Sequence, residues 1–306
     1  MKLSESPSTP SPVLTVIAPT PYEQTLLQYR PLAYWPLNEA SGTIAYDVVG
    51  GNNGMYIGGV SLQQAGPTNS VFGADSFGVA FDGYDSYVDV PEGPFNITNA
   101  ITIVAWIGNV SANGFDGIVG HGDTSWRLSL NGSLDVGAND GTAPPDATDL
   151  TPIGDTSWHQ VVYTYNGFLG TANNGALYVD GAVVANNELD SPPAGNDLDV
   201  WIGGAPDYGT GSSKRLMLGN VADVSVFQYG FTASQVTALY NGTYVASPTK
   251  LTIAGTSSGP TLNWQAGVLL QAPSLSGPWT PNYSAVPPFT VPVGSGNQFY
   301  RLLVNP

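Results

Sequence analysis

Apolar residues along this chain come in short bursts separated by Gly, Pro, Asn and Asp, a pattern that predicts strands and turns. Phe77–Phe81, Tyr87–Val90 and Ile101–Trp106 are β-rich runs of this kind. Trp126–Leu130 leads through Asn131-Gly132 into Ser133–Val136, and Leu177–Val179 leads through Asp180-Gly181 into Ala182–Ala185. Asn-Gly and Asp-Gly supply the positive φ angles of two-residue turns, so both segments predict hairpins. A helical period occurs in only two places. Thr20-Pro21-Tyr22-Glu23 is a capping box, followed by Leu26 and Tyr29 on one face and stopped by Pro31. Thr232-Ala233-Ser234-Gln235 is a second, followed by Val236, Leu239 and Tyr240 and ended by Asn241-Gly242. Many strands with almost no helix between them predict an all-β fold, an antiparallel sandwich.

Outside this region the pattern changes. Residues 1–19 are a Pro/Ser-rich extension holding one β-branched run, Val13-Leu14-Thr15-Val16-Ile17, between Pro12 and Pro19. Ser247-Pro248 marks a second boundary, after which Leu251–Ala254, Thr261–Trp264, Val268–Ala272, Phe289–Val293 and Gln298–Val304 predict further strands. The expected organisation is therefore an extension at 1–19, a sandwich at 20–246 and a small β-module at 247–306.

Composition narrows the function. The 306 residues include 7 Lys+Arg and 23 Asp+Glu, a net charge of −16, so a phosphate-binding surface for nucleic acid is excluded and anionic membranes are disfavoured. No run approaches 18 apolar residues, so no membrane-inserted helix is expected. The absence of Cys removes disulfides, thiolate nucleophiles and Cys-ligated metals, and two His, at 121 and 159, leave little for a transition-metal site. The first residues lack the apolar stretch of a signal peptide. Together with few cations, abundant Gly, Ser, Thr and Asn and many short strands, this leads us to expect a mature or excised segment of an exported bacterial surface protein, acting outside the cell.

Nine segments in order resemble the laminin-G-like jelly-roll family of the concanavalin A-like lectin/glucanase fold. They are Ala33-Tyr-Trp-Pro-Leu-Asn-Glu-Ala-Ser-Gly42, Tyr46–Gly54, Phe81–Val88, Ile101–Trp106, Ser157-Trp-His-Gln-Val-Val162, Leu177–Gly181, Trp201-Ile-Gly-Gly204, Gly219–Phe227 and the helix after Phe231-Thr-Ala-Ser234. The resemblance implies two packed antiparallel sheets in a jelly roll. It does not select a function, because this scaffold serves lectins, adhesion modules and glycan-cleaving enzymes. It also implies a Ca2+ site at Asp47 and Asn53, whose oxygen-only, Gly-rich surroundings suit a hard cation. The family's other contribution, an Asp-Glu pair, reads Ala222-Asp223 here, so Asp223 is its remaining acid. The alternative is that Asp47 caps a Gly turn through backbone bonds.

For catalysis the chain offers little. Its five Glu, at 5, 23, 39, 92 and 188, include no Glu-x-Asp-x-Glu strand, so the paired carboxyls of a glycanase are missing. His121 near Asp123, Trp126 and Arg127 is the one lyase-like cluster, against the reading of a polar loop before a hairpin; His159 reads as a structural residue in a strand. For glycan binding, Tyr84 with Asp85, Trp126, and Asp207 with Tyr208 combine aromatic rings with short polar groups, whereas Trp35, Trp106, Trp158 and Trp201 are expected in the core. For assembly, Val13–Ile17 has the form of a donor strand that pairs with a neighbouring copy. The expected function is thus a non-catalytic adhesion or glycan-binding protein whose partner is a glycan or surface polymer. A filament subunit partnered by copies of itself, and a carbohydrate-active enzyme, are the alternatives.

Overall fold

The computed structural model describes residues 18–73, 76–111, 116–122, 125–130, 136–139, 147–148, 153, 155–167, 175–187, 193–206, 215–245, 250–256, 259–264, 268–282, 285, 287–292 and 297–303. The first helix, α1 (Pro21–Gln28), starts where the capping box predicted: Thr20 Oγ1 accepts from Glu23 N at 3.2 Å and Thr20 N donates to Glu23 Oε2 at 2.7 Å. Strands β1 (Ala33–Trp35), β2 (Ile44–Ala45), β3 (Gly54–Ile57), β4 (Ser61–Ala65), β5 (Phe77–Asp82), β6 (Tyr87–Val90), β7 (Ala100–Ser111) and β8 (Asp116–Gly120) follow. Next come β9 (Arg127–Leu130), β10 (Val136–Asn139), β11 (Ala147–Thr148), β12 (Trp158–Asn166), β13 (Gly175–Val179), β14 (Ala182–Asn187), β15 (Val200–Ile202) and β16 (Leu218–Phe227). Helix α2 (Ala233–Tyr240) carries the second capping box, with Thr232 N donating to Gln235 Oε1 at 2.9 Å.

These strands form two eight-stranded antiparallel sheets. Sheet A runs β14-β13-β12-β7-β16-β5-β4, with β1 also paired to β16; sheet B runs β11-β10-β9-β8-β15-β6-β3-β2. Asp180 (φ 51) and Gly181 (φ 78) make the tight turn joining β13 to β14, the double positive-φ combination that Asp-Gly accommodates. The other predicted hairpin is β9 with β10. Leu130 pairs with Val136, so the return strand is described from Val136, while Asn131-Gly132 and Ser133 lie outside the described residues.

Alternation along each strand divides side chains between two cores. The first lies between the sheets and holds Trp35, Ile103, Ala105 and Val161 of sheet A with Val88, Val90, Val119, Leu128 and Ile202 of sheet B. The second lies between the other face of sheet A and the helices. It joins Tyr22, Leu26, Tyr29, Val236 and Leu239 to Tyr34, Val104, Trp106, Val162 and Phe227. Strand β7 is therefore buried on both faces, which explains why Ile101–Trp106 reads as an almost unbroken apolar run.

The C-terminal segment forms two three-stranded sheets: β17 (Thr252–Thr256), β18 (Gly259–Asn263) and β21 (Phe289–Thr290) in one, β20 (Thr280–Asn282), β19 (Val268–Ala272) and β22 (Phe299–Leu303) in the other. They share a small core of Leu262, Trp264, Leu269 and Ala285, and the Arg301 guanidinium lies 4.3 Å from the Trp279 ring centre.

Candidate functional site

The loop from β5 to β6 closes on one carboxylate. Asp82 Oδ1 accepts from the N–H groups of Tyr84 (2.8 Å), Asp85 (3.1 Å) and Ser86 (3.2 Å) and from the Ser86 hydroxyl (2.7 Å). Burial works against ionisation, but these bonds outweigh it and bring the Asp82 carboxyl down to about 2. Asp85 in turn accepts from Gly59 N at 3.0 Å. Its neighbour Gly58 has φ 67, and a Cβ there would collide with the Asp85 backbone, so the two turns interlock only with glycine. Tyr84 is left at the tip, 83% exposed and backed by a fully bonded loop.

Behind this loop, alternation along β6 sends Val88 and Val90 inward and Tyr87 and Asp89 to the outer face of sheet B. Strand β15 does the same, with Val200 and Ile202 inward and Trp201 outward. Tyr87 and Trp201 stack at 4.1 Å between ring centres, and Leu216 and Ile57 pack on them. Asp89 stands across from Trp201 on one side and Met55 on the other. Burial raises its carboxyl, with the charge of Asp199 adding to the effect and a bond from Trp201 opposing it. Trp201, expected in the core, is buried, but in a small cluster on the outer face of sheet B, beside Tyr87 and Asp89, which the sequence had not singled out. The signal was present in the alternation of Tyr87-Val88-Asp89-Val90 and Asp199-Val200-Trp201-Ile202.

Trp126, expected as a sugar platform, is fully buried. It shares an inward face with Leu128 and Leu130, and its Nε1–H donates to Phe95 O at 2.9 Å. Burial of that ring removes it from any surface site. His121 is also buried, stacked on Trp126 at 5.7 Å, with Nδ1 3.2 Å from Ser125 Oγ, while Asp123 lies outside the described residues. Asp207, Tyr208 and Val13–Ile17 also lie outside the described residues.

The residues expected to hold calcium adopt the alternative geometry. Asp47 Oδ1 accepts from Tyr34 N (2.9 Å), Val49 N (3.0 Å) and Gly50 N (3.0 Å); Oδ2 accepts from Asn52 N (2.9 Å) and Asn52 Nδ2 (2.8 Å). Asn53 Oδ1 accepts from Asp47 N at 2.9 Å. A cation needs the same lone pairs that five N–H groups occupy, and those groups point positive hydrogen at the place it would take. Asp223 is not beside them; it accepts from the Tyr34 hydroxyl, at the far end of that side chain from the N–H bound to Asp47. The arrangement does not fit a calcium ion, and among the described residues no group of three or more acidic or His side chains is placed to hold a metal ion.

His159 occupies β12, with Nδ1 2.7 Å from Asp180 Oδ2 and Nε2 3.1 Å from Asp155 Oδ1. The bond to Asp180 raises its pKa, partial burial opposes this, and Asp155 adds to the rise. The stability this contributes is present below about pH 6.5, the unfolded value, and is lost as pH rises through the higher folded value. We therefore expect His159→Gln to lower Tm more at pH 6 than at pH 9, read by thermal melts at both; an equal loss at both would show that the charge contributes nothing.

Comparison with known proteins places this geometry. No protein of curated function matches the chain. Among solved structures, the binding domain of Paraclostridial Mosquitocidal Protein 1 superposes with a TM-score of 0.51 at 15% identity, over 76% of this chain and 63% of that one. Trypanosoma rangeli sialidase gives 0.46 at 15% identity over 68% of this chain, which spans about a third (32%) of the sialidase. The binding domain of Botulinum neurotoxin DC, solved with rat synaptotagmin II, gives 0.47 at 13% identity over 77% of this chain and 62% of that one. At 15% identity the likeness to the mosquitocidal binding domain is one of fold. The family model described as the concanavalin A-like lectin/glucanases superfamily, laminin G type, matches residues 82–237, just over half of the chain. That stretch runs from the Asp82 loop to the second helix, and the chain accordingly belongs to the laminin-G-like family of the concanavalin A-like superfamily.

Proposed function

We propose that the jelly roll is a non-catalytic binding module that acts outside the cell or at its surface and takes a glycan at the β5–β6 end of sheet B. The observation that carries this reading is Tyr84, a large aromatic ring held in water by a loop whose polar groups are already bonded to one another. Such a ring offers its face to the C–H side of a sugar without ordering a flexible loop on binding. Asp85 and the Gly58-Gly59 turn supply neighbouring hydroxyl partners. The binding domain of a toxin built on the same fold agrees with this role.

The described glutamates support a non-catalytic reading. Glu23 serves the α1 capping box. Glu39 accepts from Tyr46 N at 2.8 Å and Tyr56 Oη at 2.6 Å, and Glu92 lies 3.5 Å from Asn96 Nδ2. Each has a local structural partner, and the three belong to different elements.

A glycan array with the full chain and with Tyr84→Ala tests the reading. Wild type should bind at least one glycan class, and the variant should lose about tenfold in affinity, ~1.4 kcal/mol, with Tm unchanged because the ring is exposed. An array without signal, or equal binding by the variant, would overturn it.

A further inference from the structure

Beneath α1, polar side chains collect where the fold is otherwise apolar. Gln160 of β12 pairs with Trp106 of β7, which pairs with Ala222 of β16. Immediately after Ala222, β16 bulges, and Asp223 takes a positive φ of 52 with its N–H bonded to Pro36 O. The bulge turns its carboxyl toward the helices, where it accepts from Tyr34 Oη; Ser225 stands across from Tyr34. From above, α1 lowers Tyr22 onto this group, its ring edge-on to Trp106 at 5.9 Å.

Most of these groups are sealed from solvent with their bonding incomplete. The Tyr22 hydroxyl, Trp106 Nε1, both polar atoms of the Gln160 amide and Ser225 Oγ are buried without a partner at full hydrogen-bond geometry, although Trp106 and Gln160 come near enough to the Tyr22 hydroxyl to oppose part of the rise in its pKa. Flipping the amide only exchanges one unpartnered atom for the other. Buried polar groups in native proteins are paired with protein or with ordered water, and internal waters favour sites with two to four polar partners.

We propose that Tyr22, Trp106, Gln160, Ser225 and the Tyr34–Asp223 pair enclose a buried hydrated site, in which ordered water completes their bonds beneath α1. The donors are Trp106 N–H, the Gln160 amide and the hydroxyls; the acceptors are the Gln160 carbonyl, the hydroxyls and the Asp223 carboxyl. Burial first, and then the charge of Glu23, raise that carboxyl to about 7 against the Tyr34 bond. Tyr22 and Glu23 face it from α1 and Tyr34 from β1, so around neutral pH the carboxyl both holds a proton and gives it up.

Water-to-side-chain magnetisation transfer in the full chain, with 15N-labelled tryptophan, tests this at the Trp106 indole. Wild type should show contact with a long-lived water, and Tyr22→Phe, which removes only the hydroxyl, should shift the Trp106 resonance and reduce that contact at least twofold. The same resonance should titrate with a midpoint near pH 7 in wild type and stay flat in Asp223→Asn. An indole without water contact would overturn the proposal. So would an unaltered titration in Asp223→Asn.

Discussion

Asp47→Ala should lower the unfolding free energy by ~3–5 kcal/mol, a large share of the about 5–15 kcal/mol that holds an ordinary chain folded. The substitution removes one side chain and orphans five donors: four backbone N–H groups, of Tyr34, Val49, Gly50 and Asn52, and the Asn52 amide. Tyr34 N lies inside the fold and cannot turn to water, while Val49 and Gly50 are exposed and recover part of the loss. This is why the expected cost falls short of five full desolvation penalties. Asp47→Asn should fall between, because its amide nitrogen must face the donors of Asn52. Urea titrations of the three proteins measure the series. Millimolar calcium should leave the wild-type Tm where it is; a rise of several degrees would mean that the N–H groups yield the carboxylate to the ion.

Asp223→Asn is expected to act in the opposite direction. Its carboxyl titrates near 7 in the folded protein and near 4 when exposed. Below about pH 4 both states are protonated and the group is neutral toward stability. Between about 4 and 7 the unfolded chain releases its proton while the folded one keeps it, so wild-type stability declines as pH rises. Above 7 the full penalty is present. Asparagine carries no charge and retains a carbonyl to accept the Tyr34 hydroxyl, so the variant should be more stable at pH 8 by ~2–4 kcal/mol and nearly equal to wild type at pH 4. Denaturation at both pH values gives the comparison directly. A variant destabilised to the same degree at both would show that Asp223 acts through shape alone.

Much of the jelly roll was legible in the residues because local chemistry settled it. Thr20 with Glu23, Thr232 with Gln235 and Asp180-Gly181 specify ends and turns within a few positions, and the structure realises each. The site was less legible. Alternation tells which residues share a face but not which face is covered, so Trp126 and Trp201 look alike in sequence. One is interior because it shares a face with Leu128 and Leu130; the other lies outward because Val200 and Ile202 take the inside. Tyr84 was singled out for its aromatic ring beside the short polar side chain of Asp85, and the structure exposes that ring. The expectation at Asp47 turns on a different point. Carbonyls and N–H groups of a Gly-rich loop are equally available to an acidic side chain or a cation, and only the final turn of the backbone decides which of them faces inward.

The helices also set where the folding unit begins. The face of sheet A beneath them carries Tyr34, Val104, Trp106, Val162 and Phe227, a broad aromatic and aliphatic surface covered by two eight-residue segments. A chain shortened past α1 would keep every strand yet expose the part of that surface beneath α1, and its first failure would be self-association in solution.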